Sequence, residues 1–579
     1  MARSIELSSD GVPGAGARVG GRRDAAALLE RHAVVVLLVL AVLGFGLRAS
    51  GLGRVGFAED EINKLEAVRA YERGDITPNA EHPMVMKALI YVSVRAARGW
   101  NERAPASRHI SDEAAVRLPN VLFGALTVFP VFLLTAAFFG RPTALLASAL
   151  WAFGVSAVTY NRIAKEDTLL VFFMLLAFYF YLRAKQTSGF EAGRKKRFYV
   201  WSAISFGLMF ASKYFPHYFG LNMLYHHLAR VREREPGEPK GRTPRVFYLL
   251  LPVAFLLANP AVLLPETWDY LSAYSGERLL THHGYLMGET LYDNVMSKTP
   301  FGGTPVYFYL LFLVTKTPVP VLLALAAGLF EVVRRRREPG PAFLLLMFVL
   351  WVVPYSLAGA KWLRYSLSLM PFVYMIAAVG VVALVQRLAR AGGKETGGAA
   401  AREGSTRAGA VSPFSPAPDG SRALAAGALA VVVFVGLPAW SAYAARPHYA
   451  LYTNALAPAA AGRFFPHDEF YDDGLREALG FVCREAPEGA TVAHETPGVA
   501  RYYLQRFGRT DLRSRVLSDP AFDPSRDDPA RTFVILQRGR TYFENRDKMR
   551  AVRSGDSFAK AHEVFVRGVS AAEVYAPRR

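Results

Sequence analysis

Five stretches of this chain hold residue types that can do chemistry. Just after a first apolar run stands Phe57-Ala58-Glu59-Asp60-Glu61, and then Glu81-His82-Pro83-Met84-Val85-Met86-Lys87. Adjacent carboxylates such as Asp60 and Glu61 can accept a proton or hold a cation, and the His82/Lys87 pair can donate to an anion. Between two very apolar runs lies Tyr160-Asn161-Arg162-Ile163-Ala164-Lys165-Glu166-Asp167, with Glu166 and Asp167 also suited to starting the next helix. Gly359-Ala360-Lys361-Trp362-Leu363-Arg364-Tyr365 places cations where capping cannot explain them, because a helix N-terminus disfavours positive charge. Lys361 and Arg364 therefore suit a phosphate, with Arg able to grip it by two parallel hydrogen bonds; anchoring at the membrane interface beside Trp362 and Tyr365 is the competing role. His282 and His283 are adjacent, a spacing that suits hydrogen bonding or substrate contact better than shared metal ligation.

The elements that must position these residues are membrane helices. Of 579 residues, 52% are hydrophobic and 20% charged, yet Lys+Arg 68 outnumber Asp+Glu 48 for a net charge of +20. Nucleic-acid binding accounts for the charge but not the apolar fraction. A single cysteine, Cys483, excludes a disulfide framework and Cys-based metal sites. Apolar runs at about 33–50, 118–139, 143–160, 168–184, 198–212, 214–229, 246–264, 304–333, 341–359, 365–388 and 422–442 approach the roughly 20 residues needed to cross a bilayer. Alternating sides from an N-terminus carrying Arg18, Arg22, Arg23 and Arg31 puts the clusters at 183–197, 230–245, 334–337 and 387–422 on one face, the cytoplasmic one by the positive-inside rule. All five chemical stretches then fall on the opposite face.

The expected fold is an α-helical polytopic membrane protein of about eleven transmembrane helices with an extracytoplasmic α/β C-terminal domain. Its parts are a cytoplasmic tail (1–32), a transmembrane core (33–390) with outer loops at 51–116 and 265–303, a Gly/Ala/Ser/Pro-rich cytoplasmic linker (391–421), a last helix (422–442) and the outer domain (443–579). Ile62 to Arg73 has helical periodicity, Leu89 to Ala97 reads as an amphipathic interfacial stretch, and Thr532 to Gln537 as a strand. Asp468, Glu469, Asp472 and Asp473 read as a solvated turn and helix start, with contact to the membrane-side cleft as the alternative. Walker loop, dinucleotide fingerprint and serine-hydrolase elbow are all missing from the sequence.

The order of an acidic pair after the first span, His-Pro-x-x-x-Lys before an interfacial helix, and Arg-x-x-x-x-Asp between the third and fourth spans resembles the GT-C membrane glycosyltransferases. It is most similar to family 39, the dolichyl-phosphate-mannose protein mannosyltransferases and lipid A aminoarabinose transferases, over about residues 33–390. Arg117-Leu118-Pro119-Asn120, Phe139-Gly140-Arg141 and the segment 361–365 fit the same pattern. The C-terminal region departs from it, with no repeat of the sugar-binding-like lumenal domain of eukaryotic mannosyltransferases.

The resemblance implies transfer of a sugar, mannose-like or other, from a polyprenyl-phosphate donor to an acceptor hydroxyl at the outer face. Asp60 is then the general base, Glu61 its neighbour, Arg364, Lys361 and Arg162 the donor-phosphate ligands, and Asp167, Glu166, His82, Lys87, His282 and His283 supporting or acceptor-binding residues. A single displacement inverts the anomeric centre, and carboxylates adjacent in sequence do not suit the facing pair of a retaining mechanism. No cofactor is assigned; a divalent metal stays open, without ligand spacing to support it. The partners are the bilayer, the lipid-linked donor and a protein, glycan or lipid acceptor, with no nucleic acid, and the composition favours a bacterial inner membrane. The alternative is a secondary transporter or lipid-linked sugar flippase, for which Lys213, between two short apolar runs, is the best candidate group.

Overall fold

The computed structural model describes residues 20–214, 217–229, 231–232, 235–239, 242–275, 283–298, 302–391 and 420–578. The expectations for 1–19, for His282 and for most of the 391–421 linker lie outside these residues. Each of the eleven apolar runs falls on a helix or on consecutive helical segments. Among the described residues, six helical stretches are long and apolar enough to cross a membrane: His32–Ala49, Ala106–Phe139, Asp167–Gln186, Pro339–Leu357, Met370–Leu388 and Ala425–Ala444.

Some of the other runs are interrupted, for local reasons. Run 304–333 is two helices, Phe308–Lys316 and Val319–Arg334, parted at Thr317-Pro318 because proline has no N–H for the ladder. Run 143–160 divides into Arg141–Phe153 and Val155–Tyr160 at Gly154, where a Cβ would collide with the Tyr374 hydroxyl. Helices Val319–Arg334 and Met370–Ala391 pack at close range through glycines: a side chain on Gly328 would strike the Ile376 carbonyl, and one on Gly380 the Ala324 carbonyl. Without a hydrophobic force between helices in lipid, such close approach is a main source of packing energy.

Two helices of the loop after the first span, Glu59–Tyr71 and Met84–Asn101, join the bundle to the C-terminal region. That region holds a five-stranded sheet in the order Arg513–Val516, Thr491–His494, Thr532–Gln537, Val569–Pro577, Phe558–Val566. The first three strands are parallel and the last two antiparallel to their neighbours. Helices Leu475–Glu485 and Pro497–Arg506 bury Leu479, Val482 and Tyr503 in one apolar cluster with Phe57, Leu65 and Val68 of the loop. Tyr503 fastens this joint, its hydroxyl accepting from Phe57 N at 2.8 Å and donating to Glu113 at 2.9 Å. The C-terminal domain is thereby packed on the loop that carries Asp60.

Candidate active site

Asp60 sits in the first turn of Glu59–Tyr71, whose three leading acids suit the positive end of the helix dipole. Its side chain is 27% exposed and gathers cations from two other segments: Lys165 Nζ lies 2.8 Å from Oδ2, and Arg364 Nη1 lies 3.7 Å from it. Tyr471 of the C-terminal domain donates its hydroxyl hydrogen to the same oxygen. Burial would raise the Asp60 carboxyl, but Lys165, Arg364 and Lys64 outweigh it and hold the group well below the usual carboxylate range. Burial in turn pulls Lys165 down to about 8, against the opposing pull of Asp60.

The loop carrying Lys165 is held at several points. Asn120 Nδ2 donates to the carbonyls of Ile163 and, at 2.7 Å, Lys165; Ala164 N donates to Glu61 at 3.0 Å; Asn161 accepts from Arg48 Nε and donates to Thr168 Oγ1, both at 3.0 Å. Arg364 lies on the short helix Leu363–Ser368, flanked by the rings of Trp362, Tyr365 and Tyr471 at 5.4, 5.5 and 5.9 Å. Such rings favour a planar cation and fix its orientation.

Glu61 has a different position from Asp60. It is buried, ion-paired with Arg117 at 2.5 Å, and accepts from the amides of Ala58 and Ala164 at 3.0 Å, so it ties the loop helix to the bundle. Glu166 and Asp167 make no capping hydrogen bond through the Glu166 side chain; Glu166 pairs with buried Lys64 at 2.9 Å and Asp167 with Lys213 at 2.5 Å. Lys213 also lies over the Tyr365 ring at 4.5 Å, so the group offered for a transporter belongs to this same constellation. His82 stands 3.8 Å from Glu166; burial, with Lys165 and Lys64 adding to it and Glu166 opposing, lowers it to about 3, which leaves it neutral.

Several residues expected at the site are elsewhere. Arg162 points away from Asp60: its guanidinium donates to the carbonyls of Arg48, Ser50 and Gly51 and lies 5.0 Å from the Tyr449 ring. It lines a cavity of about 70 Å³ with Asp468 and Tyr471. Lys361 is fully buried and donates to the carbonyls of Thr304 at 2.6 Å and Ala358 at 2.5 Å, and burial lowers it to about 8. Its sequence position beside Arg364 was misleading because the intervening residues turn the two side chains apart. Lys87 donates to the Asn79 carbonyl at 2.6 Å, bracing the turn before its own helix. His283 bonds Glu544 of the C-terminal domain at 3.1 Å.

The residues that sequence reasoning passed over are mostly contributed by the C-terminal domain. The expected solvated turn at 468–473 is buried: Asp468 accepts from Tyr285 at 2.6 Å, Glu469 pairs with Lys316, and Asp472 pairs with Arg540. Arg540 grips both Asp472 oxygens and reaches Glu59 at 3.0 Å, while Asp472 accepts from Glu59 N at 3.0 Å. Tyr471 and Asp472 both adopt left-handed backbone, at φ 45° and 68°, a cost of about 1–3 kcal/mol each that the surrounding pairs sustain. The signal in the sequence was a tyrosine set among four acids just ahead of Gly474.

Residues 109–263 match the family model described as dolichyl-phosphate-mannose-protein mannosyltransferase. No curated protein matches the chain by sequence. Among solved structures, ArnT from Cupriavidus metallidurans in the apo state is 14% identical, with 96% of this chain and 98% of that one covered and a TM-score of 0.47. The oligosaccharyltransferase of Archaeoglobus fulgidus in the apo form is 12% identical over 87% and 69%, with a TM-score of 0.45. The protein O-mannosyltransferase Pmt1-Pmt2 complex of S. cerevisiae, bound to the sugar donor, is 18% identical over 42% and 33%, with a TM-score of 0.30. By that family match, residues 109–263 are those of a membrane glycosyltransferase.

Proposed function

We propose that the protein transfers a sugar from a polyprenyl-phosphate donor to an acceptor hydroxyl by one inverting displacement at Asp60. The observation that carries this reading is the carboxylate of Asp60 held between Lys165 and Arg364. Attack by a hydroxyl on an anomeric carbon needs a base within hydrogen-bond reach, and departure of a phosphate needs fixed positive charge. Both are here within one cluster. Without donor, the two cations suppress the basicity of Asp60. A donor phosphate competes for Lys165 and Arg364, and each contact it takes from Asp60 raises the affinity of that carboxylate for a proton. The base thus becomes competent when the leaving group is in place.

Arg162 and Lys361, occupied by backbone carbonyls, are left out of this scheme, and Lys165 takes their place as phosphate ligand. Tyr471 orients the Asp60 carboxylate, and Glu61 with Arg117 positions the helix that carries it. The face is the extracytoplasmic one: Arg334, Arg335 and Arg387, within or beside the basic clusters, lie on helices whose other ends approach the site. Acceptor classes compatible with this chemistry are a protein hydroxyl, a glycan and a lipid.

The test is incubation of the purified full chain with a panel of polyprenyl-phosphate sugars and candidate acceptors, with products identified by mass and anomeric configuration by NMR. An inverted glycoside is expected. Retained configuration would overturn the single displacement, and absence of transfer from every donor would overturn the reading itself.

A further inference from the structure

A second polar cavity lies far from Asp60, at the other end of the helix Asp167–Gln186. Asp167 belongs to the Asp60 constellation, and Lys185, 18 residues later, lines the cavity, so about 27 Å of helix, close to one bilayer core, separates them. The cavity encloses about 520 Å³, within the range of small-molecule sites. Among the described residues four cations line it, Lys185, Lys195, Arg232 and Arg242, against one carboxylate, Glu238. That carboxylate is already engaged by Arg232 and by the amide of Gly189 at 2.5 Å. Among their contacts, Lys185 donates to the His227 carbonyl at 2.9 Å and Lys195 to the Thr187 carbonyl at 3.3 Å, each at the negative end of a helix. Arg242 makes no hydrogen bond or ion pair among the described residues. Beside this basic lining stand exposed apolar residues, Leu228 at 73%, Tyr248 at 57% and Leu249 at 65%, on helices of the membrane bundle.

We propose that this cavity binds the phosphodiester head group of an anionic membrane phospholipid, with its acyl chains along Leu228, Tyr248 and Leu249. Ordinary orienting cations of a membrane protein point into water. These instead line a concave space at the far end of the helix Asp167–Gln186, and basic pockets between membrane helices suit phosphate-bearing lipid heads. A soluble phosphate compound would gain nothing from the apolar rim.

Native mass spectrometry of the full-length protein, purified in detergent and offered phosphatidylglycerol, phosphatidylcholine or inorganic phosphate, tests this directly. Phosphatidylglycerol adducts should survive where phosphatidylcholine adducts do not. Arg242→Glu should weaken them at least about fivefold, the effect of losing one cation near a membrane surface. Arg336→Glu, altering a basic residue outside the cavity lining, should leave them unchanged. Equal retention of phosphatidylcholine, full retention by Arg242→Glu, or equal loss in Arg336→Glu would overturn the proposal. So would complete displacement of the lipid by millimolar inorganic phosphate, which would mark a soluble-anion site. If Arg242→Glu does not fold, as judged by gel filtration and circular dichroism, Arg242→Gln is read by the same criteria.

Discussion

The hydroxyl of Tyr471 donates to Oδ2 of Asp60, the same oxygen that lies 2.8 Å from Lys165, although 411 residues separate the two in the chain. A domain outside the membrane bundle therefore contributes directly to the environment of the candidate base. Removing that one hydrogen bond should misorient the carboxylate without removing any charge. Tyr471→Phe is expected to lower kcat by about ten- to a hundredfold, the worth of one hydrogen bond to a charged group, with donor KM little changed. Steady-state kinetics with saturating acceptor decide it, and an unchanged kcat would remove Tyr471 from the site.

The neighbours Asp60 and Glu61 should fail in different ways. Asp60→Asn keeps the shape of the side chain but cannot take up a proton, so turnover should fall at least about 100-fold while the protein folds and retains donor. An active Asp60→Asn protein would end its assignment as base. Glu61→Gln strips the counter-charge from buried Arg117, a loss of about 3–5 kcal/mol in stability for a broken buried pair. Its thermal midpoint should therefore drop well below that of Asp60→Asn, a comparison that differential scanning fluorimetry makes directly.

The membrane helices were legible in the sequence because a bilayer demands long apolar runs, and Thr532–Gln537 because a buried strand is a continuous apolar one. Helix Glu59–Tyr71 was legible from the periodicity of Ile62 to Arg73, which places its start three residues late because the acids at 59–61 carry no apolar period. What sequence could not supply was the direction of each side chain. Arg162 and Lys165 stand three residues apart in one loop, yet the first is turned to the carbonyls at 48–51 and the second to Asp60. Lys361 and Arg364 part in the same way. The acids at 468–473 looked solvated because their partners, Arg540, Lys316 and Tyr285, are remote in sequence, and only tertiary packing pairs them.

Arg540 should hold the two parts of the site together. It is almost fully buried, doubly bonded to Asp472 and joined to Glu59 on the loop helix. Arg540→Lys keeps the charge but not the planar fork, so one bond of the set survives at most. Greater cleavage within 59–82 by limited proteolysis is expected, together with a lower kcat. Arg540→Ala, which leaves Asp472 buried and unpaired, should cost about 3–5 kcal/mol of stability. Wild-type proteolysis in both variants would show that the domain docks through Tyr503 and the apolar cluster alone.

The pH dependence follows from Lys165. Burial lowers its ammonium from the ordinary 10.5 to about 8, so between about pH 8 and 10.5 the unfolded chain holds this proton and the folded one has released it. The contribution of Lys165 to stability consequently rises with pH across that window. Function should move the other way, because only charged Lys165 can stabilise a departing phosphate. We expect kcat/KM for the donor, which reports the free enzyme, to fall above about pH 8 while the protein remains folded. A bound phosphate favours the ammonium form, so the corresponding limb in kcat should lie at higher pH. Asp60, held well below the usual carboxylate range, contributes no acid limb near neutrality. Lys165→Arg carries a charge that does not titrate here, and it should abolish the alkaline limb of kcat/KM. An alkaline limb that persists unshifted in Lys165→Arg would assign it to another group, with Lys87, also lowered to about 8 by burial, the next to substitute.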